Sequence, residues 1–245
     1  MPRELVIDAA VADSSSGRAF LRGIQLELAS VNSRAGSYGL RLEMVSPSNT
    51  VDAVLTAARA VASQPRTILY VGDLSPSDTA TASDVLSAAG LPQISGVAAP
   101  APSPGATRTL LELVPESATN ARALVKAARF SSVCSQVVTA WRLPLTSPRE
   151  QTTCRLTAGP ALSGLALAQE QGVVTVELLI TAERRLGPRG DDRQAVMQAL
   201  RSVRLAKSPL GPIAFAANGE LRAYDYTLDR IALGHPALLR VFPIN

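Results

Sequence analysis

Lysine, histidine, cysteine and the aromatic residues are all scarce in this sequence. Only Lys126 and Lys207 are lysines among 24 basic residues, so the net charge of +4 is carried almost wholly by arginine. No basic run is interleaved with aromatics, which removes the stacking platform and phosphate track of a nucleic-acid groove. Nucleic acid is therefore not an expected partner, and the arginine bias reads as composition. His235 is the single histidine and sits in LGHPALL, a turn before a strand, so a histidine-based triad has no material. Without a base and nucleophile pair, the chain is read as non-enzymatic. Cys134 and Cys154 have no histidine near them and fall short of the ligand count of a zinc site. No metal and no cofactor is expected, and a disulfide or two buried thiols both remain open. Aromatics make up 4% of the residues, so the core must be filled by Leu, Val, Ile and Ala, which suits helices layered on a sheet.

Two further absences bear on location. No run approaches the roughly 20 uninterrupted apolar residues that span a bilayer, so direct membrane insertion is not expected. Met1-Pro2-Arg3-Glu4 leads straight into a strand-like run with no apolar signal region, which leaves a cytosolic protein or an exported one whose signal has been removed.

What is present is alternation. Leu5 to Val11 is a β-branched-rich run closed by Asp13-Ser14-Ser15-Ser16-Gly17, after which Phe20, Ile24, Leu28 and Val31 recur at helical spacing. Strands are predicted again at 40–45, 67–71, 93–97 and 110–114, with helices opening near Thr50 and Ser77 and over 118–128. Strand and helix in turn predict a parallel sheet covered on both faces. The next thirty residues change character: 131–141 and 150–159 read as two strands around a loop with two prolines. Helical texture returns over 162–186, interrupted by Gly172, and again over 191–203, where Asp191-Asp192 reads as a helix start. Glu183-Arg184-Arg185 reads as a solvated helix end. Asn218-Gly219 between two apolar runs is the strongest hairpin signal in the chain. The Pro/Ala-rich piece 97–108 reads as a surface connection, because strand signals resume just after it. No Gly-x-Gly-x-x-Gly follows the first strand, which removes the dinucleotide-binding reading of an α/β pattern.

Three stretches, FLRGIQLELASVNSRAGSYGLRLEMV (20–45), TAARAVASQPRTILYVGDLSPSDTATASDVLSAAGLPQIS (56–95) and GPIAFAANGELRAYDY (211–226), together resemble the branched-chain amino-acid-binding branch of the type I periplasmic binding proteins. Their order matches the family's helix with Gly and Asn before a glycine turn, its strand ending in a Gly-x-x-Ser/Thr-rich loop, and its closing hairpin of the form Gly-Pro-x-x-Phe-x-x-Asn-Gly. The resemblance implies two α/β lobes joined by a hinge, the chain visiting the first, then the second, then returning. Here the returning part follows after about thirty residues, too few for a whole lobe. The expectation is therefore a parallel-sheet, three-layer α/β/α lobe 1 from residues 4–130 and 160–225. Lobe 2 would be reduced to a small β appendage from residues 131–159 and 226–245. A hairpin centred on Pro144 would set Cys134 opposite Cys154, where a bridge could contribute about 3 kcal/mol.

By position, the resemblance assigns ligand contacts to Ser75, Ser77 and Thr79 after the third strand, to Ser95 and Val97 after the fourth, and to Ser16 after the first. Exposed amides at helix N-termini suit the carboxylate of an amino acid or an amide-like molecule. Ala99 stands where the family commonly has a ligand-binding threonine, and Asp78 puts a carboxylate beside the expected anion site. The competing reading is that Ser75 or Ser77 caps the following helix. The resemblance implies a solute-binding or sensor protein, periplasmic or extracellular, with a cytoplasmic sensor as the other setting. The alternative is a protein-interaction module whose lobe face meets another chain, as a homodimer or a fused partner domain.

Overall fold

The computed structural model describes residues 5–11, 13–33, 39–45, 50–72, 75–97, 108–114, 117–129, 136–139, 153–158, 164–232 and 235–244. A five-stranded, wholly parallel sheet runs in the order β2 (Leu40–Met44), β1 (Leu5–Ala10), β3 (Thr67–Gly72), β4 (Gln93–Ser95), β5 (Leu110–Glu112). Every residue of β1 and β3 is buried, as expected of strands covered on both faces. On β3, Leu69 and Val71 join one side of the core, whereas Tyr70 joins the other with Val54, Ala58, Val61 and Leu86. That second side is covered by α2 (Val51–Ala62) and α3 (Pro76–Ala88). The first is covered by α1 (Ser15–Asn32), α5 (Leu165–Leu186) and α6 (Arg193–Ser202). The parallel three-layer arrangement expected from the alternation is thus present.

The first side is organised by two glycines. Gly172 does not interrupt the helix as its composition suggests; α5 is continuous through it. A Cβ there would lie 2.1 Å from the Phe20 carbonyl oxygen, and one on Gly23 would lie 1.9 Å from the Gln169 carbonyl oxygen. The two helices therefore touch backbone to backbone, a distance only glycine permits. Phe20 and Ile24, both fully buried, flank the contact, each contributing about 1.5–3 kcal/mol of apolar burial. Among the described residues α5 is also the one helix long and apolar enough to cross a membrane, yet more than half of that stretch is buried inside the protein.

A second, six-stranded sheet has the order β6 (Gln136–Thr139), β7 (Thr153–Ala158), β10 (Leu221–Ala232), β9 (Ile213–Phe215), β8 (Arg204–Leu205), with β11 (His235–Ile244) also paired to β10. The helix α4 (Ser117–Ala128) packs on β6, β7, β10 and β11. The Asn218-Gly219 turn joins β9 to β10 as its sequence predicts, with Gly219 at φ 92°. It also docks on the first sheet: Glu112 N–H donates to Gly219 O at 2.8 Å and Leu221 N–H to Val114 O at 3.1 Å. The first apolar core continues without a break from Leu5 on β1 to Ile244 on β11.

Two expectations are corrected here. β6 and β7 are parallel, Val137 facing Cys154, so they cannot form a hairpin centred on Pro144. Cys154 is buried and disulfide-bonded; Cys134, the other cysteine of the chain, and Pro144 lie outside the described residues. Glu183 is 2% exposed, not solvated: the turn at Gly190 closes over it, where a Cβ would meet Glu183 Oε2. Burial, with Asp191 nearby, pushes its carboxyl up to about 7. Asp192, by contrast, caps α6 through Gln194 N–H and Ala195 N–H, as read from the sequence.

Gly172→Ala should lower stability by about 1–3 kcal/mol or more, because the obstacle is backbone and cannot rotate away; urea unfolding reads this as a lower midpoint. Glu183 gives a pH dependence of definite sign. Between its ordinary 4.5 and about 7 the native carboxyl keeps a proton that the unfolded chain releases, so stability falls as pH rises through that window, by on the order of 3 kcal/mol in all. Glu183→Gln should flatten that decline, seen as a melting temperature that no longer drops between pH 5 and pH 8.

Candidate functional site

Parallel strands deliver the loops that follow them to one edge of the sheet, and ligands of open α/β folds bind at that edge. Here the C-terminal ends of β1, β3 and β4 lead into the first turns of α1 and α3 and into Gly96-Val97. Gly72 ends β3 at φ 139°, and a Cβ on it would lie 2.1 Å from Ala10 O at the end of β1. The two strand ends are thereby drawn together.

Ser75 is the N-cap of α3. Its Oγ accepts Asp78 N–H at 3.2 Å and donates to Asp78 Oδ2 at 2.6 Å, and it stands 3.2 Å from Ser77 Oγ. The Ser75 hydroxyl thus caps the helix through the Asp78 amide and also hydrogen-bonds the Asp78 side chain, whose carboxylate favours the helix dipole. The capping reading of Ser75 is therefore realised. Thr79 and Ser95 are both completely buried, with their hydroxyl oxygens 3.2 Å apart, and Ser95 Oγ accepts Val97 N–H at 3.2 Å. Five of the six residues assigned by resemblance thus fall into two hydrogen-bonded groups, Ser75–Ser77 and Thr79–Ser95–Val97, on the end of α3 and β4. Ser16 is exposed in the first turn of α1, where Ser14 rather than Ser16 caps the helix by accepting Gly17 N–H at 3.0 Å. Ala99 lies outside the described residues.

Two glutamines that sequence reasoning passed over complete the edge. Gln171 on α5 donates through Nε2 to Gly96 O at 3.1 Å and to Leu113 O at 3.2 Å, fixing the segments beyond β4 and β5. Gln93 on β4 donates to Gly72 O at 3.1 Å, while its Oε1 is buried without a hydrogen-bond partner. An orphaned buried acceptor costs about 1–3 kcal/mol. The available signal was a glutamine inside an apolar run, as in LPQIS.

The edge therefore combines opposite polarities. Amides of the first helical turns have no intrahelical acceptor and attract negative charge, whereas Asp78 and the Gln93 amide oxygen attract a donor. Among the described residues no group of His, Cys, Asp and Glu could hold a metal ion.

Neither a family model nor a curated protein matches this sequence. Solved structures do. A leucine-binding protein LivK from Thermotoga maritima superposes with a TM-score of 0.69 at 12% identity, over 98% of this chain and 99% of that one. LivJ from Streptococcus pneumoniae, in complex with isoleucine, gives 0.69 at 11% identity over 98% and 99%. A solute-binding protein from R. palustris in complex with benzoate gives 0.69 at 11% over 97% and 96%. The fold is that of the type I periplasmic binding proteins. At these identities the likeness shows the fold alone.

Ser75→Ala should cost about 1 kcal/mol by removing the cap, and Ser75→Asn, which keeps an acceptor without setting a second carboxylate beside Asp78, should restore most of it. Chemical denaturation of the three proteins without added ligand measures both.

Proposed function

We propose that the chain is a non-enzymatic solute-binding or sensor protein. Its ligand, a small amino-acid-like or amide-like molecule, would sit at the C-terminal edge of the parallel sheet. The observation that carries this reading is the pairing of helix N-termini with two acceptors, Asp78 and the orphaned Gln93 Oε1. A zwitterion offers a carboxylate to the first and an ammonium to the second. Ser16, Ser75, Ser77, Thr79, Ser95 and Val97 would supply the contacts. Leucine and isoleucine, named with two of the similar structures, carry both groups; benzoate carries only the carboxylate.

The second sheet, in this reading, is a reduced counterpart of a second lobe. Because α4 packs on β6, β7, β10 and β11, the boundary between the units is proposed to fall before α4 rather than at residue 130. A bonded Cys154 supports a periplasmic or extracellular setting, since disulfides persist in oxidising compartments. The second reading, an interaction module, draws on the hydroxyls bonding one another: Ser75 with Asp78, and Thr79 with Ser95. Polar groups already satisfied gain less from a ligand.

Isothermal titration and thermal shift with L-leucine, L-isoleucine and benzoate test the proposal. An amino acid present at about 100 times its Kd should stabilise the protein by about 2.7 kcal/mol. Asp78→Asn should weaken the amino acids by about tenfold while leaving benzoate as tight or tighter, since the one charge removed attracts an ammonium and repels a carboxylate. A flat response to all three at millimolar concentration would sink the solute-binding reading in favour of the interaction module.

A further inference from the structure

The outer side of α4 carries three cations in a row. Arg122, Lys126 and Arg129 follow one another at spacings of four and three residues and are all exposed, so they share one side of the helix. Ala123 and Ala127, fully buried on the adjoining side, seat the helix on the sheet. The cationic row borders a groove of about 600 Å3 between α4 and the C-terminal end of β11, whose apolar surface comes from Val125, Pro243 and Ile244. The groove is open on its outer side, so an occupant would lie along it with one face in water. No acidic side chain lines it among the described residues.

Lys126 is held in place rather than left to wander. Its Nζ donates to Pro243 O at 2.8 Å and stands 5.6 Å from the centre of the Phe242 ring. An ammonium has three donors, so two remain for a ligand, and the cation–π contact keeps the charge at the rim of the groove. Val125, 65% exposed, leaves an apolar surface beside the charges with nothing over it among the described residues.

We propose that this groove is a binding site for a small organic carboxylate with an apolar body. The carboxylate would lie along Arg122, Lys126 and Arg129, and the hydrocarbon against Val125 and Pro243. The site lies on α4 and β11, not on the loops that follow β1, β3 and β4, and does not depend on the function proposed above. Charge selects this occupant over a second copy of the chain, because an isologous contact would set the three cations against their own duplicates.

The test is an amide chemical-shift titration of the full chain with octanoate, with 1-octanol and octylammonium as matched probes. Octanoate should give saturable shifts at α4 and β11. The alcohol and the ammonium should bind at least about tenfold more weakly, since each lacks the anion. The double variant Arg122→Gln/Arg129→Gln, with both changes at exposed positions, should keep the circular dichroism of the parent and lose octanoate affinity by about tenfold or more. Residues 75–97 should show no shift or one with a different midpoint, which separates this site from the sheet edge. Absent or unsaturable shifts, an equal response to octylammonium, or undiminished binding by the double variant would overturn the proposal. So would co-sedimentation with phosphatidylglycerol vesicles while free octanoate leaves α4 unmoved, which would assign the patch to a lipid surface instead.

Discussion

The fold turns on the backbone-to-backbone meeting of α1 and α5 at Gly23 and Gly172. Neither position has room for one additional carbon, so the two helix axes lie as near as backbones allow. The consequence reaches the sheet edge through the residue next door. Gln171, immediately before Gly172, extends its amide to Gly96 O and Leu113 O. Were α5 displaced outward by a methyl group's width, those hydrogen bonds of 3.1 and 3.2 Å would be stretched past useful length. Helix packing on one face of the sheet thus sets the geometry of the loops at its end.

Those loops show how little separates a cap from a contact. Ser75 closes the first turn of α3 and engages Asp78, using both donor and acceptor capacity of its hydroxyl. Thr79 and Ser95 tie the same helix to β4 across a buried contact. Such hydrogen bonds tie the edge to one arrangement, and under the proposed function a preorganised edge would lose less entropy on binding. The orphaned oxygen of Gln93 is the opposite case, an acceptor held out of water by its neighbours with its amide nitrogen already engaged to Gly72 O.

Much of the fold was legible in the sequence because it is locally encoded. The strand and helix periods from Leu5 to Ala128, the Asn218-Gly219 turn and the Asp192 cap each depend on a few adjacent residues. What escaped depends on partners far away in the chain. Gly172 looks like a break until Phe20 is placed against it, since a glycine that weakens a helix and one that admits a neighbour are identical in sequence. β7 pairs parallel with β6 and antiparallel with β10, a strand far along the chain. Glu183 sits in a charged triplet that reads as surface, and only the turn at Gly190 removes it from water. At the candidate site the hydroxyls were assigned by resemblance and the structure shows only their hydrogen bonds to one another, while Gln93 and Gln171 were hidden as polar residues in apolar surroundings.

The twelve-residue strand β10 belongs to everything at once. Its first residues pair with β9 beside the turn that docks on β5, and its later ones pair with β7 and β11. A protein stitched along one such thread has no seam at which to part. Loss of either half strips partners from the same peptide groups, so melting is expected as a single cooperative event rather than two. Any relative motion of the halves must twist that strand elastically instead of swinging about a slack joint.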